Sequence, residues 1–229
     1  MLSIIDQLKG ALLGGDEVSG VGTESLSPTN LSEAQAYVER VNAKIDHLAG
    51  EFASGEINRA QFQELFDHYQ RERRTIQTWS DTRSASDDWK EAVTEGHSIM
   101  IRRQHKARVL GYAIYENESG VPLSTIGHFE VDPALAVPMM SSYRTAAREI
   151  FGGDVRSTQI DGGKWLTFIP GQKTTLMAIF TTEPARQQLK SLEDLHELFE
   201  KANIHMLARA QINAHELVFP HHSFLGRID

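Results

Sequence analysis

The first third of the chain carries two runs of apolar residues with helical spacing. Between Leu31 and Phe52, apolar or small residues recur at alternating steps of four and three, which is typical of a helix with one apolar seam. These residues are Ala34, Val38, Val41, Ile45, Leu48 and Phe52. Residues 53–56 break the period, and a second run extends from Ile57 to Trp79, with Asn58 as N-cap. The pattern predicts a helical hairpin over residues 31–82 whose seams bury each other.

From Ile99 onward the pattern becomes typical of strands, beginning with a short apolar run at residues 99–101. Five longer apolar or alternating runs follow, at residues 109–115, 122–131, 155–160, 164–169 and 174–181. A helix with Asp132 as N-cap is expected after the second of these, and another from about Thr182 to Asn203. Short turns join most successive strands, among them the hairpin signal Asp161–Gly163. The sequence therefore predicts an α+β fold, an antiparallel five-stranded sheet with helices packed on it, preceded by the helical hairpin.

Polar segments divide the chain into four parts. The organisation we predict is a short N-terminal helix with a flexible linker at 1–30, the hairpin at 31–82, the sheet domain at 87–207, and a C-terminal tail at 208–229. The N-terminal helix has few positive charges on its polar face. Docking to protein, or fraying, is therefore favoured over binding to a membrane surface.

Composition excludes several classes of function. The net charge of −8 argues against sequence-independent binding of nucleic acid, which needs a basic surface. The absence of cysteine excludes disulfides, thiolate zinc sites and cysteine nucleophiles, and it suits a reducing cytoplasm. No stretch approaches the roughly 20 apolar residues of a membrane-spanning helix. We therefore expect a cytoplasmic protein with neither a nucleic-acid partner nor integral membrane association.

The motifs of the common enzyme classes are absent or misplaced. Gly14–Val18 matches the signature of diguanylate cyclases, but only thirteen residues precede it and its neighbours are typical of a linker. Gly162-Gly163-Lys164 is not a phosphate-binding loop, because Trp165 stands where a hydroxyl residue is needed. No G-x-S-x-G elbow is present. The sequence predicts no catalytic residue and no cofactor.

Histidines near the C-terminus offer the one candidate metal site. His215, Glu216, His221 and His222 carry nitrogen and oxygen ligands of the kind that zinc accepts. Pro220 interrupts the group, and no thiolate supports it. A solvated histidine cluster is therefore favoured over a metal site.

Two further groups are candidates for interaction surfaces. Arg102, Arg103, Lys106 and Arg108 belong to the one dense basic run, which suits an acidic partner or a phosphate backbone, or serves as a charged sheet edge that prevents strand pairing. Met139, Met140, Tyr143 and Ala147 lie on the predicted helix after Asp132. Methionine suits adaptable surfaces and tyrosine suits interfaces, so this group is a candidate dimer interface, with core packing on the sheet as the alternative.

The hairpin contains a short stretch that is similar to a known module. The stretch GEINRAQFQELFDHY, from Gly55 to Tyr69, resembles the SHOCT motif, a helical module often found attached to bacterial proteins. The resemblance implies oligomerisation or tethering, and it implies no chemistry.

The order of elements from Val109 to Leu207, together with the stretches Glu118–Leu123 and Lys201–Ile204, resembles the Roadblock family of dynein light-chain type. That resemblance implies a profilin-like fold and a non-catalytic homodimer in which the helix over residues 132–151 pairs with its copy. Bacterial members often act on Ras-like small GTPases, so such a partner is implied here as well. Longin domains and PAS-like sensor folds share much of the same order. A small-molecule sensor of PAS-like type, with its ligand between sheet and helix, is therefore the alternative function.

Overall fold

The computed structural model describes residues 31–82, 95–129, 131–132, 137–142 and 156–221. The chain divides into two compact units, and the break falls between Lys106 and Ala107. We call these the helical unit and the sheet unit. The sequence placed this boundary near residue 87, and the difference comes from a helix at residues 95–104 that packs on the hairpin.

The helical unit contains α1 (Leu31–Ser54), α2 (Arg59–Thr82) and α3 (Glu95–Gln104). The predicted hairpin is confirmed, since α1 and α2 bury their apolar seams against each other. The buried seam residues are Tyr37, Val41, Leu48, Leu65, Tyr69 and Ile76. The helices are therefore held together by the apolar periodicity that the sequence displays.

Two amides at the start of α2 fasten α3 to the hairpin. The Asn58 side chain accepts a hydrogen bond from the Gln61 main-chain N–H, and the Gln61 side chain accepts one from the Asn58 N–H, which forms a capping box. Each side-chain amide also donates to a carbonyl at the end of α3, Asn58 to His105 and Gln61 to Arg102. Asn58 thus caps α2 as predicted, and the same pair satisfies carbonyls at the end of α3 that lack helical partners.

The prediction of strand structure at residues 99–101 is wrong, because this run lies inside α3. A run of three apolar residues cannot by itself distinguish strand from helix. The hairpin decides the outcome, since Ile101 packs against its apolar core. Ile99 and Met100 point outward and are 51% and 60% exposed.

The sheet unit has the predicted five strands, so the expected fold class is confirmed. They are β1 (Val109–Glu116), β2 (Pro122–Gly127), β3 (Arg156–Gln159), β4 (Trp165–Pro170) and β5 (Thr174–Phe180), followed by α4 (Arg186–Ala202) and the short α5 (Ile204–Leu207). The strand order is β2-β1-β5-β4-β3, and every pair is antiparallel. Gly162 and Gly163 make the β3–β4 turn with φ of 75° and 74°, which glycine adopts without strain.

An apolar cluster lies on each face of the sheet. On one face, Leu192, Leu195 and Phe199 of α4 pack on the sheet, and every residue of β5 is buried. On the other face, the helical segment 137–142 contributes Met140 to a second apolar cluster. Within the described ranges, no helix combines the length and apolar character needed to cross a membrane.

The segment after α5 packs onto the sheet unit. Leu217 and His221 are buried, and Leu217 joins the core beneath α4. Asn203 holds this segment, because its side chain donates to the Val218 carbonyl at 2.7 Å and accepts from the Val218 N–H at 2.8 Å. The solvated histidine cluster expected here is therefore wrong for His221, whose neighbours are aromatic rings and not water.

Candidate functional site

Three polar side chains meet where α4 crosses the start of β5. The Thr174 hydroxyl donates to Glu200 Oε1 at 2.8 Å, and His196 Nε2 lies 3.2 Å from the same hydroxyl oxygen. Because the hydroxyl proton points to Glu200, the Thr174 oxygen accepts from His196 Nε2–H. This assigns the proton of the neutral imidazole to Nε2 and leaves Nδ1 as an acceptor.

Glu200 binds the β4–β5 turn through its main chain. Its carboxylate accepts hydrogen bonds from the N–H groups of Gln172, Lys173 and Thr174 at 2.7, 2.9 and 2.8 Å. A Cβ on Gly171 would lie 2.5 Å from Glu200 Oε1, so a side chain at position 171 would displace the carboxylate from this position. Glu200 therefore ties the last turn of α4 to this hairpin.

Burial controls the protonation of the histidine. His196 is 1% exposed, and its burial lowers the pKa of the imidazole, an effect that the negative charge of Glu200 partly opposes. The neutral form agrees with the hydrogen bond to Thr174. On β1, burial raises the pKa of the Tyr112 hydroxyl.

Three buried polar atoms lie on the α4 face of the sheet. In the part of the chain that the structure describes, His196 Nδ1, Tyr112 Oη and Thr167 Oγ1 have no hydrogen-bond partner. Tyr112 and Thr167 both pair in register with Ala178, one from each side, so only the small Ala178 separates them across the sheet. Buried polar atoms usually find partners in protein, water or a ligand, which makes this face a candidate site.

The C-terminal segment covers the cluster with aromatic rings. The His221 ring lies 5.9 Å from the His196 ring and 5.7 Å from the Tyr112 ring, measured between centroids. Phe219 stacks on Phe199 at 5.3 Å. A proton can therefore reach His196 from outside only if this segment moves. The hydrogen bonds and ring contacts of this region fix chain segments to one another.

No family model, no curated protein and no solved structure matches this chain.

The C-terminal metal candidates do not come together among the described residues. His215 and Glu216 are exposed, whereas His221 is buried, and His222 lies outside the described residues. Arg209 donates to Glu216 at 2.6 Å and lowers the pKa of that carboxyl group. Across the described ranges, no group of three or more histidine, aspartate or glutamate side chains is placed to hold a metal ion.

The basic candidates are distributed over both units. Arg102 makes a two-pronged hydrogen bond to Glu51 of α1, at 2.8 and 3.0 Å. Burial would lower the pKa of Arg102, but the hydrogen bonds and charge of Glu51 raise it. Arg103 is exposed on α3, Lys106 is half-buried after it, and Arg108 is exposed in the sheet unit, where its N–H donates to Thr181 Oγ1. Arg102 and Arg103 are helical, so they do not form the charged sheet edge that the sequence left open.

The dimer candidates are partly described. Met140 is 4% exposed and packs in the core, and Met139 is partly buried against the same cluster. Tyr143 and Ala147 lie outside the described residues. Met140 therefore agrees with the alternative of core packing, and the dimer role of this helix stays a prediction.

Sequence reasoning missed a surface on α3. Ile99, Met100 and Arg103 are exposed and lie within one turn of the helix, so they form one face that we call the α3 face. A helical interpretation of residues 95–104 would have found this surface. In such a helix Ile101 faces the hairpin core, and Ile99 and Met100 then point outward.

Proposed function

We propose that this protein is a non-catalytic regulatory or scaffold protein of the cytoplasm, which acts through homodimerisation and through binding of a protein partner. The observation that carries the proposal is the α3 face, where two large apolar side chains stand more than half exposed beside Arg103. Contiguous exposed apolar side chains are typical of interaction surfaces. Arginine beside them suits a partner with an acidic rim around an apolar centre.

The internal contacts of α3 support this role. Its inner side already has partners, since Ile101 packs in the core and Arg102 pairs with Glu51. The amides of Asn58 and Gln61 satisfy its last carbonyls. The helix is therefore held in place without Ile99 and Met100, which leaves these two side chains available to a partner. A Ras-like small GTPase is the partner class that the Roadblock resemblance implies.

The partner part of the proposal is tested with the double variant Ile99→Ser/Met100→Ser. Its matched control is Ile204→Ser/Val218→Ser, which removes two side chains of similar exposure, 61% and 60%, from the sheet unit. In a pull-down quantified by mass spectrometry, we expect one protein that wild type and control retain and the α3 variant loses. Once purified, that protein should bind to wild type and to the control, and more weakly to the α3 variant. Equal binding by all three chains would contradict the proposal.

The homodimer is tested separately by size-exclusion chromatography with light scattering at micromolar concentration. A mass of two chains is expected. A strict monomer would show that the homodimer part of the proposal is wrong. It would not contradict the proposal that the α3 face binds a partner.

The second candidate function, a small-molecule sensor, is favoured by the three buried polar atoms beneath α4. A polar ligand that hydrogen-bonds to Tyr112 Oη and His196 Nδ1 would compensate for their burial. A thermal-shift screen with nucleotides and common metabolites tests this candidate. A stabilising ligand whose effect is lost in Tyr112→Phe supports it, and the absence of any shift counts against it.

A further inference from the structure

The C-terminal segment, residues 208–221, is fastened to the sheet unit mainly near its end. Asn203, which directly follows α4, forms two hydrogen bonds with Val218 of this segment. Leu217 joins the core of the sheet unit, and Phe219 packs partly buried against the same core. Most side chains from 208 to 216 are exposed. Residues 217–221 therefore provide most of the contacts that close the segment over α4.

The end of this segment seals the ring of His196. The buried His221 ring lies 5.9 Å from the His196 ring, and the Phe199 ring of α4 stacks on His196 at 5.8 Å. From β5, the hydroxyl and carbonyl oxygens of Thr174 lie 3.2 and 3.4 Å from Nε2. From α4 itself, the carboxylate of Glu200 faces the ring. In the part of the chain that the structure describes, Nδ1 has no hydrogen-bond partner, so the closed arrangement suits a neutral imidazole.

A proton on Nδ1 of His196 is disfavoured while the segment is closed. It would place a charged donor against aromatic rings, where water cannot solvate it. Glu200 attracts this charge, but its carboxylate already accepts hydrogen bonds from three main-chain N–H groups and from the Thr174 hydroxyl. Burial accordingly lowers the pKa of His196, and Glu200 opposes this only in part. Tyr112 of β1, which lies against His221, stays neutral because burial raises the pKa of its hydroxyl.

The fold of α4 does not depend on the segment. Glu200 ties the last turn of the helix to the β4–β5 turn, and the Gln188 side chain near its start donates to the Ala107 carbonyl at 2.9 Å. Between them, Leu192 and Leu195 are buried in the core. The segment can therefore lift from α4 as a local opening, after which water reaches Nδ1 of His196.

We propose that the C-terminal segment is an acid-released strap. Protonation of His196 frees residues 217–221 from α4 and uncovers the rings of Phe199 and Tyr112, while the sheet and α4 stay folded. The rings that become accessible form an apolar surface that is present only at low pH. The release does not depend on the proposed function, because it concerns neither the α3 face nor the dimer.

The direction of the pH effect follows from the two protonation equilibria. His196 binds a proton more weakly when the segment is closed than when it is open, since only the open form is solvated. The closed form is therefore fully favoured above the ordinary histidine pKa of about 6.5 and loses ground as the pH falls below it. For one proton, the equilibrium constant of opening rises by at most about tenfold per pH unit.

The experiment measures amide hydrogen exchange of the full chain by NMR between about pH 8 and about pH 5. The Val218 amide reports on the segment, because its acceptor in the closed form is Asn203 Oδ1. The Met177 amide reports on the sheet, because β5 is paired on both sides. After correction for the intrinsic exchange rate at each pH, the opening constant at Val218 should rise below about pH 6.5, by up to about tenfold per unit. The opening constant at Met177 should stay smaller throughout.

Two variants assign the effect to His196. His196→Gln keeps a side-chain N–H donor and removes the titrating ring, so the opening constant at Val218 should lose its pH dependence. The matched control is His215→Gln, which removes an exposed histidine from the same segment and should keep the dependence of wild type. In wild type, the His196 ring resonances should titrate over the same pH range in which Val218 loses protection.

Three results would overturn the proposal. The first is an opening constant at Val218 that does not change with pH in wild type. The second is an unchanged pH dependence in His196→Gln. The third is equal opening constants at Val218 and Met177 at every pH, which would indicate unfolding of the whole sheet unit. If circular dichroism shows that His196→Gln does not fold, the wild-type ring decides, because a His196 ring that titrates outside the range of Val218 opening contradicts the proposal.

Discussion

The two units place their polar side chains in opposite ways. In the sheet unit, His196, Glu200 and Asn203 lie at or under the surface of α4 and join segments that are distant in the sequence. In the helical unit, charged groups stay at the borders between helices, where Arg102 pairs with Glu51 and Lys44 contacts the Tyr69 ring. The sheet unit thus uses single polar side chains to hold distant chain segments together, whereas the helical unit joins two of its helices through the ion pair of Arg102 and Glu51.

Removal of one core side chain from each unit gives the largest expected effect. Phe199→Ala should lower the free energy of unfolding of the sheet unit by about 3 to 5 kcal/mol, because Phe199 of α4 is fully buried against the sheet and Phe219. Leu65→Ala should do the same to the helical unit by about 2 to 5 kcal/mol. Hydrogen exchange measured residue by residue should place each loss in the unit that carries the change. Similar losses in both units for either variant would contradict this division.

Arg102→Met tests whether charge stabilises the helical unit. The substitution leaves Glu51, whose side chain is only 13% exposed, without its two hydrogen bonds. We expect a loss of about 2 kcal/mol in urea unfolding, less than for a fully buried pair because Arg102 is one-third exposed. The control Lys190→Met breaks ion pairs with Glu193 and Asp194 at the surface and should change stability by less than about 0.5 kcal/mol. Equal effects would show that the Arg102 pair is an ordinary surface pair.

Asn203→Ala tests whether the hydrogen bonds of Asn203 hold the C-terminal segment on the sheet unit. It removes hydrogen bonds to Phe199 and Val218, so we expect a loss of about 1 to 2 kcal/mol. The amide of Val218 should exchange faster, since its acceptor has gone. Asn203→Asp keeps the acceptor Oδ1 and should protect that amide better than the alanine variant does. Unchanged exchange at Val218 in both variants would mean that Asn203 does not hold the C-terminal segment.

The smallest expected effect is the dependence of stability on pH. Burial lowers the pKa of His196 in the folded chain, so the unfolded chain binds the proton more readily. Stability is therefore complete above the unfolded value of about 6.5 and falls as the pH decreases toward the folded value, by at most about 1.4 kcal/mol per pH unit. In urea unfolding at several pH values, His196→Gln should reduce this slope. If the free energy of unfolding changed with pH equally in wild type and variant, the assignment of this dependence to His196 would be contradicted.

Much of the fold follows from local pattern. The alternating steps of four and three between Leu31 and Phe52 predicted α1, and Asn58 at the break predicted the start of α2. The aspartate and two glycines at 161–163 predicted the β3–β4 turn. In each case a few neighbouring residues contain the physical cause, whether periodicity, a cap or the conformational freedom of glycine.

The remaining features depend on contacts between distant residues. Residues 99–101 became helical because the hairpin provides a surface for Ile101 and donors for the last carbonyls of α3. His221 is buried because Asn203, eighteen positions earlier, brings the C-terminal segment against α4. No local pattern contains such pairings, so the sequence identified the histidines and arginines as residue types of interest without showing which of them meet.

The contact between Gly171 and Glu200 restricts how this sequence can change over time. A side chain at position 171 would displace the carboxylate of Glu200 from the turn, because a Cβ would lie 2.5 Å from Oε1. Replacement of Glu200 by a shorter residue would allow alanine at 171, but it would also leave three main-chain N–H groups without their acceptor. The two positions should therefore vary together in descendants of this chain, and a sequence that has lost one of them is expected to have rebuilt the β4–β5 turn.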